Sequence, residues 1–108
     1  MGSISVMTDK TAEILKPYRE KIDSLDRELI DLLVRREKII HEVAKIKHEN
    51  NIPAVLQSRV DEVRENAVKH ALEKGGDAHY MREIYKTIIQ LSCDIEDNIK
   101  NITRSQTK

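Results

Sequence analysis

The chain has 108 residues, which is enough for one small domain, and its 19 Lys and Arg balance 19 Asp and Glu to a formal net charge of zero. Neutrality argues against a generally basic nucleic-acid-binding surface, and the absence of Phe and Trp beside only three Tyr argues against a base-stacking platform. Charged residues make up 35% of the chain but alternate with Ile, Leu and Val at helical spacing, the mark of an amphipathic helical protein and not a disordered one.

Residues 1–10 are aperiodic, with Gly, Ser and Thr, and read as a flexible leader ahead of a helical domain over 11–102 and a short flexible tail over 103–108. The first predicted helix starts near Thr11 or Pro17 and runs to about Asn50. Pro17 favours the later start, because proline is tolerated in a first turn and not deeper. Asn50-Asn51 followed by Ile52-Pro53 ends this helix, since the residue before proline is pushed out of the α region. Ser58 is the expected N-cap of the second helix, with Asp61 and Glu62 in its first turn and Val60, Val63, Ala67 and Ala71 on its apolar face. Gly75-Gly76 stops it, and Asp77 caps a third helix whose apolar stripe is Ile84, Ile88, Leu91, Ile95, Ile99 and Ile102. No strand-like alternation occurs, so the expected fold is all-α with three helices per chain, one of them very long.

The long helix implies a partner. Its seam places Ile22, Leu25, Leu29, Leu32, Arg36, Ile39, Val43 and Ile46 at alternating steps of three and four, the rhythm of a helix buried against other helices. About 33 helical residues span about 50 Å, whereas a compact globule of this size is only about 34 Å across. The overhanging apolar seam needs a cover, and a second copy of the chain is the simplest one. The expectation is an obligate, intertwined homodimer in which one chain contributes to a site built mostly by the other.

Arg36 occupies a seam position where Leu or Ile belongs, and Lys47 follows eleven residues later on the same face, about 16 Å along the axis. A buried Arg without a partner is very costly, so either an internal acid (Asp31, Glu37 or Glu96) or an anionic ligand meets it. Arg19 lies about 100° around the helix from that face, within reach of a shared pocket only in a dimer. Arg59 opens the second helix, and Ser92 and Glu96 form an i, i+4 pair beside the stripe of the third. Together these side chains make a polar pocket with surplus positive charge. Such a pocket suits a small di-anion, because Arg forks are natural receptors for carboxylates. The bland alternatives are a structural bridge for Arg36, a snorkelling Lys47, a Ser92 back-bonded within its helix and solvated Arg19, Arg59 and Glu96.

Other chemistries lack their parts. His41, His48, His70 and His79 show no paired-ligand spacing, so no metal is expected, and the three Gly form no phosphate-binding loop. Cys93 stands alone, which rules out an intrachain disulfide and makes a reducing compartment the default. No apolar stretch approaches a membrane span or a secretory signal, so a cytoplasmic setting without a membrane partner is expected.

From Tyr18 to about Ile99 the sequence resembles the small all-helical chorismate mutases. The resemblance is carried by Tyr18-Arg-Glu-Lys-Ile-Asp-Ser-Leu-Asp26, Leu32-Leu-Val-Arg-Arg-Glu37, Glu42-Val-Ala-Lys-Ile-Lys47, Asp77-Ala-His-Tyr80 and Ile88-Ile-Gln-Leu-Ser92. It implies that Arg19 reaches into the partner subunit's pocket, that Arg36, Arg59 and Ser92 hold substrate carboxylates, and that Lys47 touches a carboxylate and the ether oxygen. It also places Glu96 opposite that oxygen, where family members carry Gln or Glu. The implied reaction is the Claisen rearrangement of chorismate to prephenate, which needs no cofactor. Lys47, Glu96 and Arg36 would be its catalytic residues. A protonated Glu96 would donate to the ether oxygen, so activity should rise toward acid pH, and a Glu96→Gln variant should lose that dependence.

Two positions depart from the family pattern. Many members carry an acid three residues before the Arg59 position and a Glu directly after it, toward the substrate C4 hydroxyl. Here Leu56 and Val60 stand there. Isochorismate-pyruvate lyase and 4-amino-4-deoxychorismate mutase activities are therefore the alternatives. A non-catalytic dimerising helical module is the alternative of a different class, and it would place internal acids opposite Arg36 and Lys47.

Overall fold

The computed structural model describes the backbone of residues 2–106 and the side chains of residues 10–98. Three helices follow one another: α1 (Gly2–Glu49), α2 (Gln57–Glu73) and α3 (Ala78–Gln106). No strand occurs among the described residues, in line with the all-α expectation. The chain divides into a unit of residues 1–36 and a unit of residues 37–108.

The first unit consists of α1 alone up to Arg36. The helix begins at Gly2, well ahead of the expected start at Thr11 or Pro17, and Pro17 lies inside it. A proline there removes one ladder hydrogen bond. At an exposed position water can satisfy the orphaned carbonyl, so the helix continues through it. The predicted seam is laid out as expected but is open to solvent: Ile22, Leu25, Leu29 and Leu32 are 55%, 63%, 52% and 56% exposed.

The second unit contains the last turns of α1 with α2 and α3, and its buried residues are Ala44, Val68, Ala71, Ile89, Ser92 and Glu96. Local chemistry explains each turn. At the end of α1, Asn51 adopts a left-handed backbone with φ 55°. The Asn51 N–H donates to the His48 carbonyl at 3.3 Å and the Ile52 N–H to the Lys47 carbonyl at 2.8 Å, the paired bonds of a Schellman motif. The end of α2 repeats the device with Gly75 at φ 79°, Gly75 N–H on Leu72 and Gly76 N–H on Ala71. Asp77 caps α3 as predicted, its Oδ1 accepting from the Tyr80 N–H at 2.7 Å.

Three local expectations are corrected. Helix α2 starts at Gln57 with Leu56, not Ser58, at the N-cap, and no side chain caps it. The Leu56 carbonyl instead accepts from the Arg59 and Val60 N–H groups, which leaves Asp61 and Glu62 beyond the first turn. Tyr80, expected from the sequence to pack against the second helix, is 66% exposed. On α3 the most buried residues are Ile89, Ser92 and Glu96, whereas Ile84 and Leu91 of the predicted stripe are exposed and Ile88 and Ile95 are half-buried. The most buried row of α3 thus lies about 100° around the helix from the predicted apolar stripe, and α3 packs against α2. The side chains of Ile99 and Ile102 lie outside the described residues, as do Thr107 and Lys108 of the expected tail. No helix among the described residues is long and apolar enough to cross a membrane.

Candidate active site

Lys47 and Glu96 meet at the centre of the 37–108 unit. Lys47 sits in the last turn of α1, and its Nζ donates to the Ala54 carbonyl at 2.9 Å. The same ammonium lies 2.8 Å from Glu96 Oε1, with the two side chains only 18% and 7% exposed. Glu96 Oε1 is buried yet receives no aligned hydrogen bond, so the contact with Lys47 is an ion pair off the hydrogen-bonding direction.

One turn before Glu96, the buried Ser92 hydroxyl donates back to the Ile88 carbonyl at 2.8 Å, the local bond that its place on a helix suggested. Beside the ion pair is a cavity of about 430 Å³, lined by Ala44, Lys47, His48, Asn51 and the 52–54 turn together with Glu96. That volume lies within the range of small-molecule sites.

The sequence-predicted residues separate into three groups. Lys47 and Glu96 are in contact, and Ser92 shares their buried face of α3. Arg59 does not line the cavity; it is exposed and paired with Glu62 one turn along α2. Arg19 and Arg36 belong to the 1–36 unit, the first exposed and the second half-buried. The walls contributed by His48, Asn51, Ile52, Pro53 and Ala54 were not anticipated, because Asn-Asn-Ile-Pro reads in sequence only as a helix stop. An internal acid does face Lys47, as a structural module would have, but it is the same Glu96 that the substrate reading places there.

Cys93 is a free thiol, half-buried on α3. Burial pushes its thiol above the ordinary range, and the negative charges of Glu96, Asp97 and Asp94 add to this against the opposing effect of Lys47. Thiolate is the reactive form, and the site disfavours it. Among the described residues no group of three His, Cys, Asp or Glu is placed to hold a metal ion.

Comparison with known proteins bears on this geometry. The family model described as chorismate mutase type II matches residues 18–97, the span that holds all six predicted site residues. The T-protein of Haemophilus influenzae is 37% identical over 81 residues, covering 68% of this chain and 22% of that protein. A 4-amino-4-deoxychorismate mutase of Streptomyces pristinaespiralis is 30% identical over 83 residues, covering 77% of this chain and 64% of that protein. A bifunctional chorismate mutase/prephenate dehydratase of Aquifex aeolicus is 31% identical over 91 residues, covering 82% of this chain and 25% of that protein. This chain therefore spans about a quarter or less of the first and third of these relatives and just under two thirds of the second.

Proposed function

The chain belongs to the chorismate mutase type II family, and from that premise we propose that it catalyses the rearrangement of chorismate to prephenate as a homodimer. The observation that carries the proposal is the buried Lys47–Glu96 pair at the edge of a ligand-sized cavity. The reaction is unimolecular: a C–O ether bond breaks, a C–C bond forms, and nothing is added or lost. The protein has two tasks, to hold the reactive conformer and to stabilise negative charge on the departing ether oxygen. Lys47 is the donor to that oxygen, with the Glu96 carboxyl group beside it. Arg36, Arg59 and Ser92, with Arg19 from the partner subunit, hold the two carboxylates. Arg59 must leave Glu62 to do so, and breaking an exposed pair one turn apart on a helix costs little.

The dimer rests on the apolar row of α1. Ile22, Leu25, Leu29 and Leu32 are more than half exposed and form one continuous stripe. A stripe of that kind marks an interaction surface, and most helical stability in proteins comes from packing such an apolar face. A second copy covers the row and brings Arg19 to a site in the other chain. The setting proposed is the cytoplasm, where Cys93 stays reduced.

A second reading has its own support. Two Streptomyces proteins named 4-amino-4-deoxychorismate mutase each match 77% of this chain at 30% identity. Leu56 and Val60, apolar here, flank Arg59 where many family members place acids toward a C4 hydroxyl. Parallel turnover of chorismate, isochorismate and 4-amino-4-deoxychorismate by purified protein separates the readings. The expected result is prephenate as the main product, with kcat/KM for chorismate at least about tenfold above the others, equivalent to about 1.4 kcal/mol of transition-state discrimination. The reverse order for the amino compound would install the second reading, and salicylate with pyruvate from isochorismate would install a lyase.

A further inference from the structure

We infer that Asn51 is a positioning residue, whose left-handed backbone holds the Lys47 ammonium where the chemistry needs it; this rests on the mutase reading above. Lys47 is gripped at both ends by one turn. Its backbone carbonyl accepts from the Ile52 N–H at 2.8 Å, and its Nζ donates to the Ala54 carbonyl at 2.9 Å. These two contacts exist together only because the chain reverses at residue 51, the single non-glycine residue with positive φ among the described residues. The reversal also brings Pro53 and Ala54 back over the last turn of α1, where they form part of the cavity wall. Asn50 reinforces the same helix end, its Nδ2 donating to the Ile46 carbonyl at 2.8 Å.

The choice of residue follows from sterics. At φ 55° an L side chain crowds the following carbonyl; Gly escapes this, Asn tolerates it and β-branched residues are true outliers. Were residue 51 to leave the left-handed region, Ile52 and Ala54 would swing away from Lys47. The ammonium would then keep only its ion contact with Glu96, which is not an aligned hydrogen bond. A long lysine stem with four rotatable bonds needs the second anchor to stay within reach of a substrate oxygen. The effect should fall on kcat more than on KM, because a misplaced donor costs most where charge develops in the transition state.

The test compares Asn51→Gly and Asn51→Val with the parent in the full chain, with two readouts. One is steady-state turnover, and the other is the rate at which Lys47 is acetylated by an N-hydroxysuccinimide ester, read by peptide mass spectrometry against the other lysines. Asn51→Val should lower kcat about tenfold, equivalent to about 1.4 kcal/mol, and should speed Lys47 acetylation several-fold. Asn51→Gly should match the parent in Lys47 acetylation, because it keeps the left-handed backbone without the side chain. If the valine variant does not fold, Asn51→Ala takes its place with the same expectation in milder form. An equal rise in Lys47 acetylation in the glycine and valine variants would overturn the inference, since the side chain and not the backbone would then matter. So would a loss of turnover with no change at Lys47. Should the parent turn over no chorismate-like compound, the mutase reading fails, and the acetylation rates alone decide whether Asn51 controls Lys47.

Discussion

Replacing Lys47 by alanine should lower kcat/KM for chorismate by about a thousandfold or more. Removing one donor from a developing oxyanion typically costs about 10²–10³ in rate, or about 2.7–4 kcal/mol, and Lys47 is also expected to touch a substrate carboxylate, so KM should rise as well. The variant has a second defect. Glu96 is only 7% exposed and would lose the cation 2.8 Å from its Oε1. Breaking a buried pair by removing one partner costs about 3–5 kcal/mol, and the partial exposure of Lys47 puts this case at the low end. The two losses are separable. The double variant Lys47→Ala/Glu96→Gln carries no unpaired buried charge, so it should regain most of the melting temperature and none of the turnover. A Lys47→Ala protein within tenfold of the parent in kcat would exclude Lys47 from the chemistry, leaving it a structural counter-ion.

The second large effect concerns the two-chain site. Arg19→Ala and Lys47→Ala should each be nearly inactive alone, and a refolded equimolar mixture should regain about a quarter of the parent activity. Random pairing gives half heterodimers. In each of these, one site carries both lesions and the other neither, provided that Arg19 serves the partner's Lys47. If Arg19 served its own chain's site, every site in the mixture would carry one lesion and no activity would return. The control is a charge placed in the exposed row of α1, Leu29→Lys. It should yield a monomer in sedimentation and abolish the recovery, because Leu29 lies on the surface that the second chain is proposed to cover.

Features that depend on a few neighbouring residues were legible in the sequence. The stop at Asn50-Asn51 before Ile52-Pro53, the Gly75-Gly76 terminus and the Asp77 cap follow from left-handed backbone tolerance and side-chain hydrogen bonding, and the structure places all three as expected. The start of α2 moved by two residues, from an expected N-cap at Ser58 to Leu56, since the Leu56 carbonyl can open the helix without a capping side chain. The buried face of α3 was not legible. Periodicity alone prefers the apolar row of Ile84, Ile88, Leu91 and Ile95, whereas the residues that the fold buries most are Ile89, Ser92 and Glu96, two of them polar. Of the site, Lys47 could be nominated because it shares the face of the seam cation Arg36, and Glu96 because it stands with Ser92 beside the apolar stripe of α3, and the family resemblance gave both a role. Their mutual contact could not be, nor could the Ala54 carbonyl, because a backbone acceptor leaves no mark in the residue types.

The most direct measurement is a crystal structure of the protein with an oxa-bridged bicyclic dicarboxylate shaped like the rearrangement's transition state. Such a compound should bind at least about a hundredfold more tightly than chorismate, as transition-state mimics do. Its ether oxygen should lie within hydrogen-bonding distance of both Lys47 Nζ and a Glu96 carboxyl oxygen, with its carboxylates on Arg36, Arg59 and the partner subunit's Arg19. An ether oxygen remote from Lys47 and Glu96, or an analogue bound no better than chorismate, would contradict the proposed chemistry and return the Lys47–Glu96 pair to the role of a structural bridge.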